Sequence, residues 1–562
     1  LMEWLDNNPV KRNRMKVLTS LFAELRPIEG LVLRTVGGLD ASDNRLTATS
    51  NPSYVPNYGS GTVAKSFERY SNLTWTNTAN YTFTIKDDHN ISLLLGQEAV
   101  INQSEGFNVT TRGQSNDKLL TMATATSATS WDDIVSEATY LSFFGRAEYN
   151  YSNKYYADFS VRRDGSSKFG KDARWANFWS VGAMWNLKSE DFLKDIDWLT
   201  NLQLIASIGT SGNSSIPNYD HTALFAAGPQ YSGKTGIAPY SRGNENLTWE
   251  KLMTTNIGVK IGLFDRLNLN VEFYNKKTTD MLMEVPVTFG NGFNTKWDNI
   301  GAMINRGVEF DVDADIIRTK DFTWNVSANA SYNHNEITEL YNGLDEYEIS
   351  TTGLLLKVGH SYGEFHAVRY AGVNPANGDA LWYTKDGELT NRFSNEDRVL
   401  LGKSYVAPWQ GGFGTTFSYK GIQLSALFSW VADRWMMNND RFFDESNGTY
   451  AVYNQSAKLL NRWQKPGDIT EIPRDGVQTQ LDSHLVEDAS FMRLKNLSLS
   501  YTFPQSLLKK TKVIERAKVF GQAQNLLTFT KFTGLDPESN LNMYRASYPL
   551  SRQFSFGIEV TF

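Results

Sequence analysis

The residues able to do chemistry are few and scattered. The six histidines are His89, His221, His334, His360, His366 and His484, and none sits in an HExxH pattern. The nearest approach to ligand spacing is His360-Ser361-Tyr362-Gly363-Glu364-Phe365-His366, which reads better as a polar loop than as a metal site. The chain has no cysteine, so thiolate metal sites and disulfides are excluded. No phosphate-binding glycine loop or GxSxG elbow occurs. Loop carboxylates are too numerous to single out a glycosidase pair, whose separation is set by the fold. These residues predict no catalytic group, no bound metal and no cofactor, and therefore not an enzyme.

Two polar patterns remain. Glu309, Asp311, Asp313 and Asp315 alternate with Val308, Phe310, Val312, Ala314 and Ile316. Such a face cannot lie against lipid; it reads as a hydrated wall, with a cation site as the alternative. The loop aromatics Trp297, Trp382, Trp409, Trp435 and Trp463 are able to stack on sugar rings, or simply to pack their own loops.

The elements that position these residues follow from alternation at period two. Leu267, Leu269, Val271 and Phe273 alternate with Asn268, Asn270, Glu272 and Tyr274. Phe554, Phe556, Ile558, Val560 and Phe562 alternate with Gln553, Ser555, Gly557, Glu559 and Thr561. Similar runs occupy 155–162 and 322–330. They last about nine to eleven residues, the length of a tilted membrane-crossing strand, whereas ordinary strands have about five or six. Roughly seventeen such strands are predicted, centred near Leu21, Thr35, Asn77, Leu94, Gly145, Phe159, Gly182, Ile205, Asn256, Leu269, Asp311, Val326, Thr415, Leu427, Leu497, Phe520 and Gly557.

Short turns are expected at Asn153-Lys154, Phe264–Arg266 and Thr319–Asp321. Long segments are expected at 37–70, 101–138, 211–248, 333–408 and 431–489, with a short helix near 456–463. Short turns on one rim and long loops on the other characterise bacterial outer-membrane barrels. Aromatics near strand ends, such as Phe143, Tyr155, Trp175, Trp179 and Trp198, fit an interfacial girdle. A net charge of -6 with 21% charged residues and no basic tract gives no reason to expect nucleic acid. Composition alone also fits a large soluble all-β protein; strand length favours a transmembrane antiparallel β-barrel in outer-membrane lipid.

Several motifs recur in one order along the chain. They are Arg162-Arg163-Asp164-Gly165-Ser166 with Gly170 and Arg174-Trp175, then Gly209 to Gly212-Asn213, then Trp249-Glu250. Asn299 to Gly301 follows, with Gly307 and Glu309, and then Arg493-Leu494-Lys495. Last come Asn525-Leu526, Gly534 with Asp536-Pro537, and the terminal aromatic Phe562. Together they resemble the SusC/RagA family of TonB-dependent outer-membrane transporters. Within the first motif, Asp164-Gly165 is expected to form a tight turn.

The resemblance implies a barrel of about 22 strands enclosing a plug, energy from the TonB-ExbB-ExbD complex, and a SusD-like surface lipoprotein closing as a lid. It implies an oligosaccharide or oligopeptide as cargo. The motif residues carry over as architecture, and no substrate contact carries over. Residues 1–562 read as the C-terminal portion of the barrel domain. The family's plug, TonB box and N-terminal domain have no counterpart here, so the plug and about five strands are expected from another polypeptide segment. A non-transporting adhesion or scaffold barrel is the runner-up, and a secreted glycan-cleaving protein comes third.

Overall fold

A computed structural model describes residues 2–57, 59–287, 290, 292–293, 295–349, 354–450, 454–539, 541–545 and 548–562. Seventeen long strands belong to one sheet. In chain order they are β1 (Val10–Ile28), β2 (Leu31–Ser50), β3 (Gly61–Ile85), β4 (His89–Gln114), β5 (Ser127–Tyr151), β6 (Tyr155–Ser166), β7 (Trp175–Asn186), β8 (Leu199–Asn213) and β9 (Glu250–Leu263). The series continues with β10 (Leu267–Thr279), β11 (Ala302–Arg318), β12 (Phe322–Glu339), β13 (Trp409–Tyr419), β14 (Ile422–Ala432), β15 (Phe491–Thr502), β16 (Arg516–Thr530) and β17 (Gln553–Thr561). Each predicted centre falls in its own strand.

The chain divides into two compact units. The first holds residues 1–183, 208–253 and 280–300; the second holds the remainder. In the first, β1 to β6 form an antiparallel meander in which each strand pairs with the next. In the second, β10 to β17 do the same. Tight turns join many neighbours: Ser152 and Asn153 have φ of 49° and 55°, and Phe264 and Asp265 have 56° and 53°. Two successive left-handed residues match the twist of a hairpin.

The strands of the first unit are longer than expected. β3 and β5 have 25 residues and β4 has 26. The expected segments 37–70 and 101–138 therefore shrink to the connections at 51–60 and 115–126. The reason is solvation: beyond the lipid slab both faces of a strand meet water, and apolar alternation disappears while the ladder continues. A cross-strand ladder marks this region, with Arg69 Nε 2.9 Å from Asp43 Oδ1 and Arg69 Nη1 3.4 Å from Glu105 Oε1.

The register of the second unit separates the two faces. Asn268, Asn270 and Glu272 lie opposite Asp313, Asp311 and Glu309, which lie opposite Ser327, Asn329 and Ser331. Leu269, Val271 and Phe273 lie opposite Val312, Phe310 and Val308, and these opposite Ala328, Ala330 and Tyr332. One face is thus polar over three strands and the other apolar.

The long segments carry structure of their own. Residues 224–231 and 234–241 form a hairpin. The segment after β12 contains a six-stranded sheet built from 346–349, 354–357, 364–373, 380–383, 389–390 and 398–404. The expected helix near 456–463 is a 3-10 turn, Ala457–Asn461, capped by Ser456, whose side chain accepts from Lys458 N.

Candidate functional site

The motif residues of the first unit converge on one knot. Phe169, Phe178, Ile216, Leu247 and Trp249 make its core, with Phe169 and Leu247 fully buried. Trp249 Nε1 donates to Arg174 O at 2.9 Å, and Thr248 Oγ1 donates to Ala173 O. Asn299 closes the arrangement: its Oδ1 accepts from Thr248 N at 2.7 Å, while its Nδ2 donates to Thr248 O and Asp280 O at 2.7 and 3.0 Å. Glu250 accepts from Asn213 Nδ2 and from Leu282 N. Four chain segments are tied together through side-chain-to-backbone bonds that connections lacking a ladder require.

Arg162 belongs to the same region. Its Nε lies 2.7 Å from Asp164 Oδ1, its Nη2 bonds Glu98 and Ser142, and its guanidinium sits 5.3 Å from the Phe144 ring centre. Arg163 stacks over Trp175 at 5.3 Å. The expected Asp164-Gly165 turn is corrected: both residues lie in β6, paired with Ser142 and Leu141, and the chain reverses after buried Ser166. Gly165 is needed because a Cβ there would meet the Trp175 ring. Gly170, Gly209 and Gly212 likewise face Glu245 O, Ser180 and the Phe178 ring.

A second knot lies in the second unit. Arg493, with a side chain only 4% exposed, reaches Asp536 at 2.6 Å and Glu538 at 2.7 Å, and Lys495 also pairs with Glu538. Arg434 Nη1 donates to Pro537 O. Met436, Ala489, Phe532 and Tyr544 pack beside it, and Gly534 lies against the Phe532 ring. Asn525 and Leu526 form a bulge: the register jumps from Leu494↔Leu527 to Asn496↔Gln524, with Asn525 at φ 53°. Leu494 is buried. Gly301, at φ 76°, precedes β11. Gly307 within β11 faces Tyr332 O and the Tyr274 hydroxyl. Glu309 stands in the polar face, and Phe562 is exposed after β17.

The polar face lies against a hollow of about 400 Å³, lined by Lys260, Asn268, Asn270, Asp311, Asp313 and Asn329 among others. Asn270 bonds Asp311, and Asn325 bonds Asp313 and Asp315. The acidic residues thus face amides, and Asp315 also lies 3.8 Å from Arg318 Nη1. Among the described residues no group of three or more His, Cys, Asp or Glu side chains is arranged to hold a metal. His360 Nδ1 instead lies 2.9 Å from Glu364 Oε2, whose other oxygen accepts from Gly402 N. Burial pushes the pKa of His366 down, against the pull of Glu348.

The two long loops of the second unit are fastened to each other. Trp382 Nε1 donates to Asp482 Oδ2 at 2.6 Å, and His484 Nδ1 lies 2.5 Å from Asp482 Oδ1. The Tyr370 ring lies tilted against His484 at 5.0 Å and its hydroxyl donates to Glu471 O; burial pushes its hydroxyl pKa well above the usual value. Arg441 pairs with Glu445 and Glu487. Sequence reasoning missed this cluster and the Arg493 knot, since the partners lie 100 and 43 residues apart.

These contacts revise the view of the loop aromatics. Trp382 is 5% exposed, Trp463 donates to Pro375 O, Lys403 sits 3.9 Å over the Trp435 ring, and Trp409 packs tilted against Tyr332. They pack loops and strand ends. The side chain of Tyr231 lies outside the described residues.

Comparison with known proteins agrees with this architecture. The family described as TonB dependent receptor-like, beta-barrel matches residues 25–526. The TonB-dependent receptor SusC of Bacteroides thetaiotaomicron is 31% identical over 75% of this chain and 44% of its own. TonB-dependent receptor P3 of Formosa agariphila is 30% identical over 97% of this chain and 58% of its own. The structure of the RagAB peptide transporter superposes with a TM-score of 0.93 and 36% identity, covering 99% of this chain and 63% of that one. The chain thus spans less than two thirds of the length of these relatives, from 44% to 63%. The family is one of receptors and transporters rather than enzymes. With its long paired strands, segregated faces and side-chain knots, the chain belongs to the TonB-dependent receptor β-barrel family, in its SusC/RagA branch, and is an outer-membrane protein.

Proposed function

We propose that this chain forms the barrel wall of an importer that draws a bulky nutrient, an oligopeptide before an oligosaccharide, across the outer membrane on energy delivered through TonB. The observation that carries the reading is the agreement with the RagAB peptide transporter over 99% of the chain. The polar face of β10 to β12 supports it, since a hydrated wall suits a polar cargo. Oligopeptide is preferred because the loop tryptophans that would stack on sugars are held in their own loops. Every residue of β1 is exposed, and we assign its cover to a plug and further strands from a segment outside these residues.

A SusD-like lipoprotein is assigned as the lid, docking on the loops within 211–248, 333–408 and 431–489. Of the large residues there, Trp382 is too buried to contribute. The hairpin at 224–241 offers Phe225, Ile237 and Tyr240, exposed by 67%, 75% and 71%, as the aromatic and aliphatic anchors that interfaces favour. The test is co-purification in detergent after deleting residues 224–241 from the full-length protein, beside deletion of the Thr319–Asp321 turn. Loss of the lipoprotein only with the first deletion is expected. Undiminished retention after removing each long loop in turn would defeat the lid and favour a scaffold.

A further inference from the structure

The outward face of the last four strands holds a groove that no part of import requires. Its floor is β16, where Val519, Gly521 and Ala523 point outward. Opposite them stand Tyr501, Leu499 and Leu497 on β15, and Ile558, Phe556 and Phe554 on β17. Small residues between two ridges of large ones leave a trough of about 990 Å³, with Phe556 leaning in at Gly521. From Val519 to Ala523 it runs about 14 Å along the strand. The ridges are bare: Leu499, Phe554, Phe556 and Ile558 are exposed by 54%, 62%, 84% and 75%.

One end of the trough leads to the connection between β15 and β16. That rim also carries the tight turns of the second unit at 319–321 and 420–421, as the periplasmic rim of a barrel does. The connection holds Lys509, Lys510 and Lys512 in and beside a 3-10 turn, all exposed. None of the three has a carboxylate within ion-pair distance among the described residues. Leu507 and Val513 beside them are exposed by 50% and 62%. Apolar side chains flanked by free lysines mark a segment lying in the headgroup layer, where ammonium groups reach phosphate while their stems stay in the apolar region.

We propose that this groove is a binding site for an anionic diacyl glycerophospholipid of the periplasmic leaflet, with its acyl chains along β16 and its phosphate on Lys509, Lys510 and Lys512. Charge decides the occupant. A second copy of the chain would fill the apolar trough but would bring the same lysines against the lysines, and a zwitterionic lipid would bring its own cation beside its phosphate and leave the net charge of the lysines unbalanced. A site of this kind selects the lipid beside the final strands independently of whether cargo moves.

The test uses the full-length protein in its complex, reconstituted in nanodiscs of phosphatidylethanolamine and phosphatidylglycerol in equal amounts. Lipids retained after detergent extraction are counted by native mass spectrometry. Retention of phosphatidylglycerol over phosphatidylethanolamine is expected. The K509Q/K510Q/K512Q variant should lower that preference by about tenfold or more, since each lysine near an anionic headgroup contributes substantially. Ala523→Trp, which fills the trough from the lipid side, should reduce retained lipid of either kind. Equal retention of the two lipids by the unaltered protein, or unchanged preference in the lysine variant, overturns the proposal. A dimer that Ala523→Trp dissociates, with no lipid retained, assigns the groove to a second copy and overturns it as well. None of these readouts depends on transport, so the import reading stands or falls separately.

Discussion

Replacing Asn299 by alanine probes whether the family motifs are architecture or a cargo site. The side chain makes three bonds, accepting from Thr248 N at 2.7 Å and donating to Thr248 O and Asp280 O at 2.7 and 3.0 Å. Each is worth about 1 kcal/mol net, and the orphaned Thr248 N–H adds a desolvation cost because the segment is partly buried. A total near 3 kcal/mol follows, which raises the local opening constant by about a hundredfold. The loss should be confined to the segments the residue ties, so hydrogen exchange should accelerate in 244–250 and 280–287. The strands β3 and β4 should keep their protection. Asn299→Asp should be no better, because it retains the acceptor for Thr248 N but turns a carboxylate oxygen toward two carbonyls. Protection within about threefold of the unaltered protein, with uptake nevertheless abolished, would refute the reasoning and make Asn299 a cargo contact.

Other perturbations follow from the same geometry. Arg493→Met strands Asp536, whose side chain is 10% exposed, at a cost of about 3–5 kcal/mol; protease should then cut 531–539, and the added change Asp536→Leu should restore resistance. Val271→Arg places a charge on the apolar face and should cost about 2–4 kcal/mol of folding stability in bilayers, whereas Asn270→Arg on the polar face should fold as the unaltered protein does; equal penalties would mean the faces have been exchanged. His366 lies on a loop and its pKa is lowered by burial. Its contribution to loop stability is therefore complete above the unfolded value near 6.5 and is lost as pH falls through the lower folded value. Proteolysis of the 340–408 loop should thus rise on acidification below pH about 6, and H366Q should remove part of that dependence.

The seventeen strands were legible because each crosses lipid with one apolar face, as Leu267 to Tyr274 shows. What was not legible lies where that constraint ends. The ladder of Asp43, Arg69 and Glu105 belongs to strands that continue into water, so the polar residues there read as loop. The sheet between β12 and β13 was hidden by turn residues such as Asn374 to Asp379, although Leu354-Leu355-Leu356, all buried, carried a strand signal. The motif residues were visible as types, but their roles depended on convergence. Nothing near Trp249 in the sequence announces that its indole nitrogen meets Arg174 O. Asp164-Gly165 read as a turn because that pair favours one; the ladder to Ser142 and Leu141 overrides the local preference and keeps both residues in the strand.

The central claim is that this barrel imports cargo rather than anchoring a scaffold. The most direct measurement is uptake of an isotope-labelled oligopeptide mixture by cells making the full-length protein, with TonB present or removed and the binding of peptide to the cell surface recorded alongside. The account predicts internal label only with both the protein and TonB, and surface binding that persists without TonB. Surface binding with no TonB-dependent internal label, in cells where the barrel is shown to be inserted, would contradict it.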